Sequence, residues 1–264
     1  MATETKLLYT VCADATALAE RAAEYFAQRI TEAVKAHGLA RIAISGGSTP
    51  KRTFQTLAQH GKRESGIPWE QVQLYWVDER CVPPDNEESN YRMTREAMLD
   101  AIPLPAANVF RIEGELPPEE AAARYESVIR AQFRLEGAEI PRFDMVQLGM
   151  GDDGHTASLF PHTDALHELG RIAVANHVPQ KDAWRVTLTW PVINNGRHVV
   201  FLIEGAAKAP VLAEVFQGTY DPEAKPSQLI RPQGGQLELL LDKAASAKLP
   251  APQAGQIGTL MVSR

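Results

Sequence analysis

The run Gly149-Met150-Gly151-Asp152-Asp153-Gly154-His155-Thr156-Ala157-Ser158-Leu159-Phe160-Pro161 gathers two acids, an imidazole and three glycines into one short stretch. Histidine has an ordinary pKa near neutrality, so it can take up and return a proton, and Asp153 lies close enough in sequence to hydrogen-bond His155. The two form a candidate general base and its orienting carboxylate. A polar turn with a solvated histidine would use the same residues. A second cluster, Ser45-Gly46-Gly47-Ser48-Thr49-Pro50, reads as a glycine turn opening a helix, with Thr49 as N-cap and Pro50 at the first helical position. Unpaired N–H groups along Gly46, Gly47, Ser48 and Thr49, together with the helix dipole, would favour an anion. The cluster is not a P-loop, because the full G-x-x-x-x-G-K-[ST] pattern is missing. A third cluster, Asp78-Glu79-Arg80, offers two carboxylates and a guanidinium, either for a ligand or for a surface ion pair.

Each cluster follows an apolar run with the length of a buried strand: residues 143–148, 39–44 and 72–77. That placement matters, because open α/β sheets bind ligands beyond the carboxyl ends of their strands. Further strands are expected at 7–12, 109–112, 172–178, 184–190, 198–203 and 237–241. Between them lie helix signals. Asp14 caps a helix reaching about residue 36, whose apolar positions Leu18, Ala22, Phe26, Ile30 and Val34 recur every four residues and which Gly38 stops. Ser89-Asn90-Tyr91 leads into a helix to about 99, and Pro117-Pro118-Glu119-Glu120 opens one to about 135. Pro191 starts a short helix ended by Gly196, and Gly205-Ala206-Ala207-Lys208 begins another that runs to 216, with Pro210 tolerated in its first turn. Residues 218–235, rich in proline, glycine and polar side chains, read as a surface connection. Asp242 is expected to cap a short helix at 243–247. The alternation predicts one α/β domain over residues 1–264, built on a doubly wound, mostly parallel sheet with helices on both faces.

With 44% hydrophobic residues in 264, the chain can bury a substantial core. A net charge of −6 argues against a general nucleic-acid binder but leaves room for a local basic pocket. Cys12 and Cys81 are too few and too far apart for a disulfide framework or a zinc site. The start Met1-Ala2-Thr3-Glu4-Thr5-Lys6 lacks a leader pattern, and no run of about 18 apolar residues occurs, so no membrane association is expected. The expected setting is cytoplasmic, as a monomer or weak homodimer. His162 and His167 flank Asp164, but five-residue spacing does not put two side chains on one helical face, and no metal site is read there.

The three clusters, in this order and spacing, together with Arg185-Val186-Thr187-Leu188-Thr189, Gly205 with Lys208, and Leu241-Asp242-Lys243-Ala244-Ala245, resemble the 6-phosphogluconolactonases over nearly the whole chain. The resemblance implies a Rossmann-like fold shared with the glucosamine-6-phosphate deaminases, and hydrolysis of 6-phospho-D-glucono-1,5-lactone to 6-phosphogluconate in the oxidative pentose phosphate pathway. It implies no cofactor or metal. Two departures from the deaminases favour the lactonase: Phe160 stands where they carry a glutamate before the proline, and Arg80 where they carry a tyrosine. Asp152, at a position often proline or asparagine in the lactonases, is read as harmless.

A δ-lactone is an activated ester. Its hydrolysis needs an activated water, a stabilised oxyanion and a proton for the departing ring oxygen. His155 is the expected base and Asp153 its orienter. Ser158 has no Gly-x-Ser-x-Gly context to support it as a nucleophile. The resemblance assigns Arg185 and Lys208 to the phosphate beside the Gly46–Thr49 turn, and Arg80 is expected to reach the lactone. The rival readings are a sugar-phosphate isomerase or deaminase using Asp78 as its proton shuttle, and a non-catalytic sugar-phosphate sensor.

Overall fold

The computed structural model describes residues 5–61, 66–250 and 257–262, so Met1 to Glu4, read above for a leader, lie outside it. In chain order the elements are β1 (Thr5–Cys12), α1 (Ala15–His37), β2 (Ala40–Ile44), α2 (Ser48–Gly61), β3 (Val72–Trp76), β4 (Asp78–Arg80), α3 (Asn90–Ala97), β5 (Val109–Phe110) and α4 (Pro118–Phe133). They continue with β6 (Met145–Leu148), β7 (Ala173–Val178), β8 (Ala183–Leu188), α5 (Trp190–Asn194), β9 (His198–Ile203), α6 (Ala209–Gln217), β10 (Gln236–Asp242) and β11 (Gly258–Val262).

Eight strands form the main sheet in the order β11-β1-β10-β9-β6-β2-β3-β5. Every neighbouring pair is parallel except β1 with β11. From β2 the chain winds outward through β3 and β5, then returns through β6 on the other side of β2. The crevice between β2 and β6 is therefore the switch point at which such sheets bind ligands. Gln147 and Ser45 lock it: the Ser45 amide donates to the Gln147 side-chain oxygen (3.1 Å), whose amide group donates to Ser45 Oγ (3.0 Å). Both residues are buried, so the partners satisfy groups that would otherwise be costly to desolvate.

Local chemistry accounts for the clearest elements. Asp14 accepts from the Thr16 and Ala17 amides at the start of α1, and Gly38 closes it in the left-handed region at φ 79°. Ser89 caps α3 by accepting from the Arg92 amide. Burial on the main sheet is nearly continuous, and the large side chains Trp76, Tyr75, Tyr125 and Phe143 are all buried toward its β3 end; Tyr125 Oη both donates to and accepts from the Trp76 backbone.

Several expectations need correction. Helix α2 opens at Ser48, so Thr49 is no cap and Pro50 is third; the first turn spares proline because its N–H groups lack intrahelical partners anyway. Residues 78–80, expected only as the end of the preceding strand, form a short strand of their own. Strands β7 and β8 leave the main sheet and form an antiparallel three-stranded sheet in the order β4-β8-β7. Their connection, Pro179 to Asp182, is too short for a parallel crossover. Val77 joins the two sheets: its amide donates to Ile44 O and its carbonyl accepts from the Leu188 amide. Residues 218–235 are not simply surface, since Ser227, Gln228, Ile230 and Arg231 are buried. Residues 206–208 form a 3₁₀ turn ahead of α6, as do residues 245–248 in place of the helix expected from 243. Strand β11 had no sequence signal strong enough to be expected.

Candidate active site

A cleft of about 320 Å³ opens above the carboxyl ends of β2, β3, β6 and β9. Its walls hold Gly46, Gly47, Ser48, Thr49, Asp78, Arg80, His155, Arg185 and Lys208; of the expected site residues only Asp153 stands outside, behind His155.

The loop after β6 is folded tightly by its own backbone. Gly151 N–H donates to His155 O (2.9 Å), and Gly154 N–H to Gly151 O (3.1 Å), with Gly154 at φ 86°. This brings His155 Nδ1 to 2.5 Å from Asp153 Oδ1, and the same oxygen accepts the His155 amide at 3.1 Å. A Cβ on Gly151 would stand 2.0 Å from His155 Nδ1 and 2.6 Å from Asp153 Oδ1, so the pair exists because that position has no side chain. Burial alone would raise the Asp153 pKa, but the hydrogen bond and charge of His155, with the backbone amides, outweigh it and hold the carboxyl at about 2. An ionised carboxylate only accepts, so the proton sits on Nδ1 and Nε2 keeps the basic lone pair. The imidazole stacks on Phe160 at 3.9 Å between centroids and 19° between planes. Ser227 N–H braces the loop from the buried part of 218–235 by donating to Gly154 O (2.9 Å).

Cations collect in the same cleft. In the small sheet Arg80 is the direct cross-strand partner of Arg185, and both line the cleft. Like charges facing each other across an antiparallel pair are unfavourable. Burial and the neighbouring Arg80 lower the Arg185 pKa. Among the described residues neither arginine forms an ion pair with a carboxylate, so the salt bridge weighed for Arg80 with Asp78 or Glu79 is absent; Arg80 instead donates to the Glu88 carbonyl. Lys208 and the exposed Lys181 complete the basic set. Asp242 accepts the Gly205 amide at 3.0 Å, which holds the turn carrying Lys208. The first turn of α2, where N–H groups lack helical partners, forms the adjoining wall.

Asp78 and Glu79 separate in role. Glu79 is buried under α3 and accepts the amides of Arg80, Asn90 and Tyr91 at 2.8 Å each, plus the Ser89 hydroxyl at 3.1 Å. It is a structural cap. Asp78 faces the cleft and accepts from Ser158 Oγ at 2.7 Å. Ser158 is buried, and its hydroxyl pairs with Asp78 rather than with an imidazole, so among the described residues no serine–histidine pair forms. Asn90 donates to the Asp78 carbonyl at 2.9 Å and packs so tightly on Gly46 that a Cβ there would lie 1.8 Å from Asn90 Oδ1.

Sequence reasoning missed Lys181, the stacking of Phe160 and the reach of Asp242. A cationic residue in the β7–β8 connection and the Leu-Asp-Lys motif were visible signals, but their direction was not. Among the described residues no group of three or more His, Cys, Asp or Glu side chains is placed to hold a metal ion. No helix among them is long and apolar enough to cross a membrane.

Known proteins resemble this chain in sequence and in overall fold. A 6-phosphogluconolactonase of Synechocystis is 43% identical over 88% of this chain and 94% of its own length. One from Nostoc is 42% identical over 90% and 97%. The solved structure of 6-phosphogluconolactonase from Trypanosoma cruzi superposes with a TM-score of 0.82 at 32% identity, covering 95% of this chain and 99% of that one. Residues 13–239 match the profile of the glucosamine-6-phosphate isomerases/6-phosphogluconolactonases, and the chain belongs to that family.

Proposed function

We propose that the protein hydrolyses 6-phospho-D-glucono-1,5-lactone to 6-phosphogluconate, as its relatives' names describe. The observation that carries this reading is the His155–Asp153 pair opening on a cleft that Arg80, Lys181, Arg185 and Lys208 also line. His155 Nε2 takes a proton from water as it attacks the lactone carbonyl, and Asp153 stabilises the imidazolium that results. The proton then passes to the ring oxygen as the tetrahedral intermediate collapses. Phe160 fixes the ring plane and excludes solvent from one face. Arg185, Lys208 and the amides along Gly46–Thr49 receive the phosphate. Arg80, beside Arg185, reaches the lactone end, and Asp78 accepts from a sugar hydroxyl. The reading includes a cytoplasmic protein of one domain, monomeric or weakly dimeric, that uses neither cofactor nor metal.

Phe160 also weighs against the isomerase branch of the family, because it fills the place of a carboxylate with an apolar ring. The test is to give the protein both substrates. Accelerated loss of the phosphorylated lactone without ammonia release from glucosamine 6-phosphate is the expected result. Ammonia release without lactone hydrolysis would overturn it, and binding of 6-phosphogluconate with neither activity would point to a sensor.

A further inference from the structure

Asp152 is not the inert neighbour that its place in the motif suggested. Its Oδ1 lies 2.6 Å from Lys208 Nζ, with the lysine side chain 25% exposed and the aspartate 76% exposed. Arg80, Lys181 and Arg185 have no such partner among the described residues, so Lys208 is the cleft cation that carries its own counter-ion. That counter-ion comes from the loop bearing Asp153 and His155. An exposed carboxylate gives up a surface ion pair at little cost, and once displaced it remains near the incoming anion as a like charge.

We propose that Asp152 is an affinity-setting residue: it occupies Lys208 in the free enzyme, must be exchanged for the ligand's phosphate, and thereby weakens retention of the phosphorylated product. The inference rests on the assignment of Lys208 to the phosphate. The hydrolysed product keeps its phosphate and gains a carboxylate, so it is the species that an all-cationic cleft would hold too long. An internal competitor lowers the affinity of that end without removing the charge that captures substrate.

The experiment is calorimetric titration of the wild type, Asp152→Asn, Lys208→Ala and the double variant with inorganic phosphate and with 6-phosphogluconate at low salt. Asp152→Asn is expected to bind both roughly fivefold more tightly. The gain should shrink at high salt, as a screened surface charge requires. On the Lys208→Ala background the same substitution should change nothing, since a charge acting through one partner is silent without it. A gain that persists without Lys208, or no gain in a variant that melts like the wild type, would overturn the proposal while leaving the functional reading intact. Equal binding by wild type and Lys208→Ala would remove both the inference and the phosphate assignment. Asp152→Ala provides a second variant should asparagine disturb the loop.

Discussion

Gly151→Ala tests whether the His155–Asp153 geometry, rather than the mere presence of both residues, carries the chemistry. Gly151 does not occupy the left-handed region, so alanine is compatible with its backbone and the effect of the substitution is steric. The new Cβ would stand 2.0 Å from Nδ1 and 2.2 Å from Cε1 of His155. Ordinary contact begins near 3.4 Å, so the ring must retreat by about 1.4 Å, off the 2.5 Å bond to Asp153 and off the face of Phe160. A misplacement of about 1 Å in a catalytic group costs on the order of 100-fold in rate. We therefore expect kcat for the phosphorylated lactone to fall about 100-fold. Binding of 6-phosphogluconate should change little, because the cations lie on other elements. Initial rates with freshly generated lactone, beside calorimetric binding of the product, separate the two. A folded Gly151→Ala protein with wild-type kcat would refute the argument that the dyad must sit as found.

Other consequences follow from neighbouring contacts. Arg185→Met relieves the repulsion with Arg80 and should raise stability at low salt by about 0.5 kcal/mol while weakening phosphosugar binding at least tenfold, read by melting and by KM. Gln147→Leu leaves the Ser45 amide and hydroxyl with a lost partner at the switch point and should cost about 1–3 kcal/mol in denaturant unfolding. Asp153 has a folded pKa of about 2 against an ordinary 3.8, so its contribution to stability is complete above about pH 4 and is lost as pH falls through about 2. The side chain is 42% exposed, so solvent screens the effect and the contribution is small. Acid unfolding of Asp153→Asn should accordingly be flatter than that of the wild type between pH 4 and 2; an identical slope would contradict the depressed pKa.

What could be read from the sequence was what neighbours in the chain decide. Asp14 and Gly38 bracket α1 because capping needs only residues within one turn, and β9 was legible because six successive residues, His198 to Ile203, suit a strand buried on both faces. The Asp153–His155 contact was legible for the same reason, both partners lying on one loop. The small sheet was not, because β4 becomes a strand only when Arg80 finds Arg185 across a distance of about a hundred residues. Burial of Ser227 depends likewise on the Gly154 carbonyl, and the meaning of Asp152 on Lys208. Composition marks 218–235 as polar but cannot say which polar groups find partners inside.

The most direct test of the central claim is to generate 6-phosphogluconolactone in place at slightly acidic pH, where spontaneous hydrolysis is slow, and to follow its loss with wild type and His155→Ala side by side. The account predicts strong acceleration by the wild type and near-background rates with a folded His155→Ala protein that still binds 6-phosphogluconate. Comparable acceleration by both would contradict His155 as the base.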